Sequence, residues 1–425
     1  MQKKVCNNFK SLNGTIEIPA DKSISHRAIM FASLSKGKSI IKNFSDGADP
    51  HSTLNIFKQL GVDITEQDGS TIIINSSGLL HKPTDALNAG NSGTTMRLMC
   101  GILTGQKFDT ILIGDESLSK RPMKRVIEPL YLMGAQISSN DNRAPLKISG
   151  TELHAINYKS PIASAQVKSC ILLAGLGVNK GITSVTEPHI SRNHTELMLK
   201  AMGAGINIEG KTVSIEKSEL SPLNIEICGD ISSAAYFIAG ALIIPNSDIT
   251  LKNVGLNPTR TGILEVIKQM GGNIEILDEK TVCGEKVGDL RIKYSHLKGC
   301  TISGEIIPKL IDEIPIIAVI ASLANGQTII KDAQDLRNKE SDRITAVVTE
   351  LRKLGADIEE TPDGMIINGA KELTGDCEVE TYHDHRLAMS LYVTGLVCKK
   401  EILINGFEWV NISFPTFEKL FSRLF

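Results

Sequence analysis

AQVKSCILLAGLG (165–177), then TSVTE (183–187), then KAMGAGI (200–206): this succession decides the fold. The first piece has helical length and is apolar nearly all round, as a helix enclosed by other elements must be. The second is a short β-branched run, which reads as a strand. The third closes an amphipathic helix on a glycine, the residue that supplies a left-handed cap, and a strand follows. The same order recurs along the chain. The β-branched runs SIIKN, TILIG, TSVTE, ITLKN, TIIKD and EILIN end at positions 43, 114, 187, 253, 332 and 405, a spacing of 66 to 79 residues. Ahead of them lie SHRAIMFASLSKG, GTTMRLMCGILTG, AQVKSCILLAGLG, SSAAYFIAGALII, PIIAVIASLANG and HRLAMSLYVTGLV; after the first five come KQLGVDI, YLMGAQI, KAMGAGI, KQMGGNI and RKLGADI.

The repeat is therefore buried helix, strand, amphipathic helix, strand, in about six copies. The sixth is incomplete: FPTFEKLFSRLF (414–425) reads as its second helix, and the missing strand is expected from VCNNFKSLNGTIEIP (5–19). The simplest architecture is α/β with two three-unit domains, residues 21–228 forming one and residues 1–20 with 229–425 the other. The alternative is a continuous solenoid, for which units of about 70 residues are long.

Composition bounds the function. The chain has 425 residues, 41% hydrophobic and 22% charged, enough for a sizeable core. A net charge of −2 and an aromatic content of 4% speak against a nucleic-acid partner and against base-stacking platforms. The longest apolar runs, 234–244 and 314–324, have 11 residues each, whereas a membrane span needs about 20. The N-terminus carries no hydrophobic signal core, so a cytoplasmic protein is expected. Eight scattered cysteines form no CxxC pair, which supports neither a zinc cluster nor a disulfide framework. Cys100 and Cys170 sit in apolar runs and are expected to pack as small hydrophobes.

Polar residues gather where the buried helices begin: Asp21–Arg27, Asn91–Thr95, Ser164–Gln166, Asp230–Ser233, Asp312-Glu313 and Asp384–Arg386. Free N–H groups and the positive end of the helix dipole point outward there and bind anions. Ordinary N-capping accounts for Asp230 and its serines. It does not account for Lys22, Arg27 and Arg386, cations at a helix end that favours anions. A second set precedes the amphipathic helices: Lys120–Arg125, His189–Glu196 and Arg337–Arg343. Lys339, Glu340 and Arg343 are placed on one helical face by their spacing. In a two-domain arrangement both sets face the interdomain cleft. A cleft lined by Lys22, Arg27, Arg121, Arg192, Lys339, Arg343 and Arg386 calls for small ligands carrying phosphates or carboxylates. There is no GxxxxGK[ST], no GxGxxG after a strand, no HExxH and no GxSxG. The tract His383-Asp384-His385 has no third ligand nearby in sequence, so no metal is expected.

DKSISHRA (21–28), NAGNSGTTMR (88–97), KRPMKR (120–125), SAQVKS (164–169), NPTRTG (257–262), IDEIP (311–315), RNKESDR (337–343) and DHRLAMS (384–390) together resemble the 5-enolpyruvylshikimate-3-phosphate synthase family, in its order and over the whole chain. The resemblance implies a two-domain inside-out α/β barrel of six βαβαββ units, three per domain. It implies transfer of the enolpyruvyl group of phosphoenolpyruvate to the 5-hydroxyl of shikimate 3-phosphate with release of phosphate, a step toward chorismate and the aromatic amino acids. No metal or organic cofactor, no nucleic acid and no membrane are implied, and the enzyme is expected to be a monomer.

Carried over residue by residue, Lys22, Asn91, Gly93, Arg121, Gln166, Glu340, Arg343 and Arg386 belong with phosphoenolpyruvate. Lys22, Ser23, Arg27, Ser164, Ala165, Gln166, Arg192, Asp312 and Lys339 belong with shikimate 3-phosphate. Asp312 is the implied base for the 5-hydroxyl, and Glu340 and Lys22 are the implied proton carriers at the methylene carbon and the leaving phosphate. Ala165, where many members have serine, Ile412, where many have lysine, and Asp335, often asparagine, resemble a divergent bacterial class associated with glyphosate tolerance; Ala20 replaces that class's usual glycine. Two other readings stand beside this one. A UDP-N-acetylglucosamine enolpyruvyl transferase shares the fold, but its reactive loop cysteine has no counterpart in DESLSKRPMKR (115–125). A non-catalytic anion-binding scaffold would not need Asp312 and Glu340 among the cations.

Overall fold

The six buried helices are buried because beyond their first turns and a few paired charges they are apolar on every side. In Ile314–Ser322 every residue is buried, and Ile231–Ile243 is enclosed nearly as completely. Each isoleucine, leucine or phenylalanine so enclosed contributes about 1.5–3 kcal/mol from the area it removes from water. In the computed structural model, which describes residues 1–7 and 10–425, the chain folds as two units. An N-terminal unit comprises Ala20–Ile227 with Thr281–Glu285; a C-terminal unit comprises Met1–Pro19, Cys228–Lys280 and Lys286–Phe425. Each holds three buried helices packed on one another: Lys22–Leu34, Gly93–Thr104 and Ala165–Gly175 in the first, Ile231–Ile243, Ile314–Ser322 and His385–Gly395 in the second. The sheets lie outside them, alternating buried and exposed residues as in Arg143–Ser149. This is the inside-out α/β arrangement, with six small sheets.

The complete repeat is strand, buried helix, strand, amphipathic helix and hairpin, a βαβαββ unit. Thr301–Ile302, Ile314–Ser322, Gln327–Ile330, Arg343–Lys353, Asp357–Thr361 and Gly364–Asn368 make one copy. Its leading strand pairs parallel with the second strand, and the hairpin closes antiparallel. The five amphipathic helices that end on glycine turn at Gly61, Gly134, Gly203, Gly271 and Gly355, with φ of 84°, 90°, 87°, 81° and 92°. An L side chain is disfavoured in that left-handed conformation. Gly101 serves a different need: a Cβ there would lie 2.1 Å from the carbonyl oxygen of Cys170, so two buried helices touch backbone to backbone. Cys100 and Cys170 are both fully buried at this contact, and burial raises both thiol pKa values, that of Cys100 to about 12.

Two leading strands change places. Asn13–Glu17 precedes the first buried helix yet pairs parallel with Asp248–Gly255, in the fourth sheet. Asn224–Glu226 precedes the fourth buried helix yet pairs parallel with Lys36–Lys42, in the first sheet. The sixth sheet is completed by Gln2–Val5, antiparallel to Ile402–Asn405. The N-terminal segment expected to supply one strand thus supplies two, to two sheets, with residues 8 and 9 of that stretch outside the described residues. No helix among the described residues is long and apolar enough to cross a membrane.

Candidate active site

Helix starts carry the polar clusters, one cluster in each unit. In the N-terminal unit Asp21 caps Lys22–Leu34 by accepting from the Ile24 amide at 2.8 Å. The next turn places Lys22, Ser23 and Arg27 together. Lys22 Nζ lies 3.0 Å from Asp49 Oδ2. Buried Arg27 donates to Thr195 Oγ1 (2.7 Å), Ser169 Oγ (3.1 Å) and the Ser23 carbonyl (3.0 Å), so it joins three helices. Ser92 caps Gly93–Thr104 and Ser164 caps Ala165–Gly175. Gln166 accepts from Arg97 Nη1 at 2.5 Å and donates to Thr94 Oγ1 at 3.1 Å. Arg121 approaches Asn91 Oδ1 at 3.5 Å, and Asn91 donates to Asp115 Oδ2 at 2.8 Å. A Cβ on Gly93 would lie 3.1 Å from Nη1 of both Arg121 and Arg97. Arg192 precedes the helix His194–Ala201, whose own His194 Nδ1 lies 2.6 Å from Glu285 Oε1.

The C-terminal unit gathers its residues on one guanidinium. Arg343, 1% exposed, reaches Asp384 (2.7 Å), Glu340 (2.6 Å) and Asp312 (3.3 Å). Lys339 Nζ lies 3.6 Å from Asp312 and 3.3 Å from Asp335. Arg386 donates to the Asp312 carbonyl at 3.4 Å and lies 3.9 Å from the carboxylates of Asp312 and Glu313. Asp384 caps His385–Gly395 through the Arg386 amide at 2.9 Å and also accepts from Ser341 Oγ. Burial alone would lower the Arg343 pKa; Asp384, Glu340 and Asp312 reverse that and hold it above the ordinary value. Burial alone would raise Asp384; Arg343 outweighs it and holds the carboxyl below the usual carboxylate range.

Of the residues singled out in the sequence, Lys22, Ser23, Arg27, Asn91, Gly93, Ser164, Ala165, Gln166 and Arg192 lie in or just ahead of the first two turns of helices in the N-terminal unit, and Arg121 ends the short helix Glu116–Lys120 there. Asp312, Lys339, Glu340, Arg343 and Arg386 form a single ion network in the C-terminal unit. One local expectation is corrected. Lys339 and Glu340 are not on a helix: a 3-10 turn ends at Asn338, Lys339 is extended, and the helix begins at Arg343 because Asp342 caps it through the Thr345 amide. Glu340 still meets Arg343, by folding back ahead of the cap. His383-Asp384-His385 is similarly redirected, Asp384 being taken up by Arg343. Among the described residues no three His, Cys, Asp or Glu side chains group as metal ligands.

The structure gives partners to residues to which the sequence reading assigned no role: Arg97 on Gln166, Asp49 on Lys22, and Glu313, fully buried, accepting from Ser232 Oγ. Arg97 was detectable as a lone cation one turn into an otherwise apolar helix. The two clusters differ in character. The N-terminal one is rich in cations and hydroxyls, which suits anions. The C-terminal one sets carboxylates against cations, which suits proton transfer.

The comparisons agree with one another. The family model for EPSP synthase (3-phosphoshikimate 1-carboxyvinyltransferase) matches residues 6–421. A 3-phosphoshikimate 1-carboxyvinyltransferase of Thermoanaerobacter sp. (strain X514) is 52% identical over 416 residues, covering 97% of this chain and 98% of that one. The protein of the same name from Bacillus licheniformis is 50% identical over 424 residues, covering 98% of each. The EPSP synthase structure from Acinetobacter baumannii superposes with a TM-score of 0.89 at 43% identity, over 100% of this chain and 98% of that one. The enolpyruvyl transferase NikO from Streptomyces tendae shares the fold, with a TM-score of 0.80 at 14% identity over 99% of this chain and 96% of that one. With its helix-start motifs, its five four-stranded βαβαββ units and three-stranded sixth, and these full-length matches, the chain belongs to the EPSP synthase family.

Proposed function

We propose that the chain transfers the enolpyruvyl group of phosphoenolpyruvate to the 5-hydroxyl of shikimate 3-phosphate by addition and elimination. The 5-hydroxyl oxygen bonds to C2 of phosphoenolpyruvate while a proton is added at its methylene carbon. Loss of a proton from the resulting methyl group and departure of phosphate then restore the double bond. In this reading Lys22, Ser23, Arg27, Ser164, Ala165, Gln166, Arg192 and Lys339 hold shikimate 3-phosphate. Lys22, Asn91, Gly93, Arg121, Gln166, Glu340, Arg343 and Arg386 hold phosphoenolpyruvate. Both substrates are polyanions, and fixed guanidinium forks match carboxylate and phosphate oxygens in pairs. Asp312 takes the hydroxyl proton; Glu340 and Lys22 carry protons at the methylene carbon and the leaving phosphate.

The single observation that carries the reading is that Asp312 and Glu340 share Arg343, at 3.3 and 2.6 Å. A guanidinium common to both holds two carboxylates side by side, where each can take part in proton transfer. A purely anion-binding scaffold would gain nothing from carboxylates on its cations. The enzyme is taken to act as a monomer, without cofactor, and light scattering of the purified chain tests that state. The activity is tested by phosphate release from phosphoenolpyruvate with shikimate 3-phosphate, with UDP-N-acetylglucosamine and with no acceptor. Release only with shikimate 3-phosphate is expected. Release with the nucleotide sugar would favour the rival enolpyruvyl transferase, and none with either would sink the enzymatic reading.

A further inference from the structure

Beside the cation-rich cluster lies a group of buried charges to which the proposed chemistry gives no role. Lys168, Glu187 and Glu196 are 2%, 3% and 1% exposed, with Lys168 Nζ 2.9 Å from Glu187 Oε2 and 2.7 Å from Glu196 Oε1. Two carboxylates and one ammonium in the interior are a costly way to pack two helices. Their arrangement shows what they hold. Glu187 Oε1 accepts from the Ser164 amide at 2.8 Å. Glu187 Oε2 accepts from Ser191 Oγ at 2.8 Å and from the Ser191 amide at 3.4 Å. Lys168 also donates to the Ser191 carbonyl at 3.4 Å. One carboxylate therefore ties the cap of the helix bearing Ser164 and Gln166 to the segment that ends in Arg192.

We propose that Glu187 is a positioning residue for shikimate 3-phosphate, setting the separation of Ser164 from Arg192 through one oxygen on each side. The inference rests on the reading of Ser164 and Arg192 as ligands of that substrate. Glu187 does not touch the substrate; it acts through the two segments. A carboxylate suits this place because the Ser164 amide, the Ser191 amide and the Lys168 ammonium all donate to it, and both of its oxygens accept while an amide accepts at one end only. Glu187→Gln leaves one of the two backbone amides, that of Ser164 or that of Ser191, without its acceptor, and with its NH2 on the Ser191 side sets a donor against Lys168 Nζ, 2.9 Å away in the parent. It should still fold, since Lys168 keeps Glu196 as a partner at 2.7 Å.

The test is calorimetric binding of shikimate 3-phosphate to the whole enzyme, with steady-state kinetics and thermal melting alongside. Loss of one charge-assisted hydrogen bond corresponds to about ten- to a hundredfold in affinity. Glu187→Gln is expected to raise the shikimate 3-phosphate Kd by at least about tenfold. kcat and the KM for phosphoenolpyruvate, both measured at saturating shikimate 3-phosphate, should stay close to the parent's. Ser191→Ala removes one strand of the same tie, should raise that Kd in the same direction, and carries the test if the glutamine variant does not fold. A lowered melting temperature with Kd unmoved would make the cluster merely structural and overturn the proposal. Ser164→Ala separates the two layers of inference. If it weakens shikimate 3-phosphate while Glu187→Gln does not, positioning alone fails. If it has no effect, the ligand reading of Ser164 fails and takes the proposal with it.

Discussion

Replacing Glu340 by glutamine tests its proposed role as a proton carrier while disturbing almost nothing else. Its carboxylate accepts from Arg343 Nη2 at 2.6 Å, and the amide oxygen of glutamine accepts in the same place. Arg343 keeps Asp384 on two nitrogens, at 2.7 and 3.2 Å, and Asp312 at 3.3 Å. Exchanging the carboxylate acceptor for a neutral amide oxygen on the same guanidinium costs about 1 kcal/mol, or about 2–4 °C in melting temperature for a unit of this size. The chemical loss is larger, because a general acid or base contributes about 10²–10⁴-fold, some 3–5 kcal/mol of barrier. Glu340→Gln should therefore lower kcat by at least about 100-fold while shikimate 3-phosphate binds nearly as before. The assay is continuous phosphate release at saturating substrates, with binding measured separately by calorimetry. A kcat within about tenfold of the parent would remove Glu340 from proton transfer. Lost activity accompanied by lost shikimate 3-phosphate binding would show a structural role instead.

Lys22→Met should cost a comparable factor in turnover, about 10²-fold or more, and should remain folded because Asp49, its partner at 3.0 Å, sits in the first turn of the helix Ala48–Gln59, where the dipole favours a carboxylate; near-normal phosphate release would refute its role. His26 is fully buried, with Nδ1 2.7 Å from Thr53 Oγ1, and burial, then Lys22 and Arg27, hold its pKa well below the ordinary 6.5. The native ring stays neutral while the unfolded chain takes up a proton, so this group's contribution is intact above the unfolded value and is lost as pH falls below 6.5 toward the native one. Urea unfolding followed by circular dichroism should show a shallower acid loss in His26→Asn, and identical slopes would remove His26 as the cause. Under the proposed function, glyphosate should compete with phosphoenolpyruvate with an inhibition constant above the KM of that substrate: Ile412 stands where many members of the family have a lysine, and a missing charge-assisted bond to the ligand corresponds to about ten- to a hundredfold in affinity. An inhibition constant well below that KM would mean that the open space at Gly93 outweighs it.

The local layers of the fold were legible in the sequence because each is written in a few consecutive residues. All-round apolarity marks the enclosed helices, and the five glycines that end amphipathic helices all have φ between 81° and 92°. The helix-start cations were legible too, because a positive charge beside a positive dipole end stands out against ordinary capping. What lay beyond reach depends on partners distant in sequence. Asn13–Glu17 pairs with Asp248–Gly255 rather than with the strand of its own repeat, and no periodicity encodes that choice, because each β-branched run offers the same edge. Charge spacing put Lys339 and Glu340 on a helix, but Asp342, the better cap, starts the helix later and leaves them to fold back. Only the tertiary structure decided which carboxylate each cation meets: Asp49 for Lys22, Asp384 for Arg343, and Glu187 with Glu196 for Lys168. A buried charge must be paired, so its presence in the sequence announces a partner, whereas the identity of that partner follows from which helices the cores bring side by side.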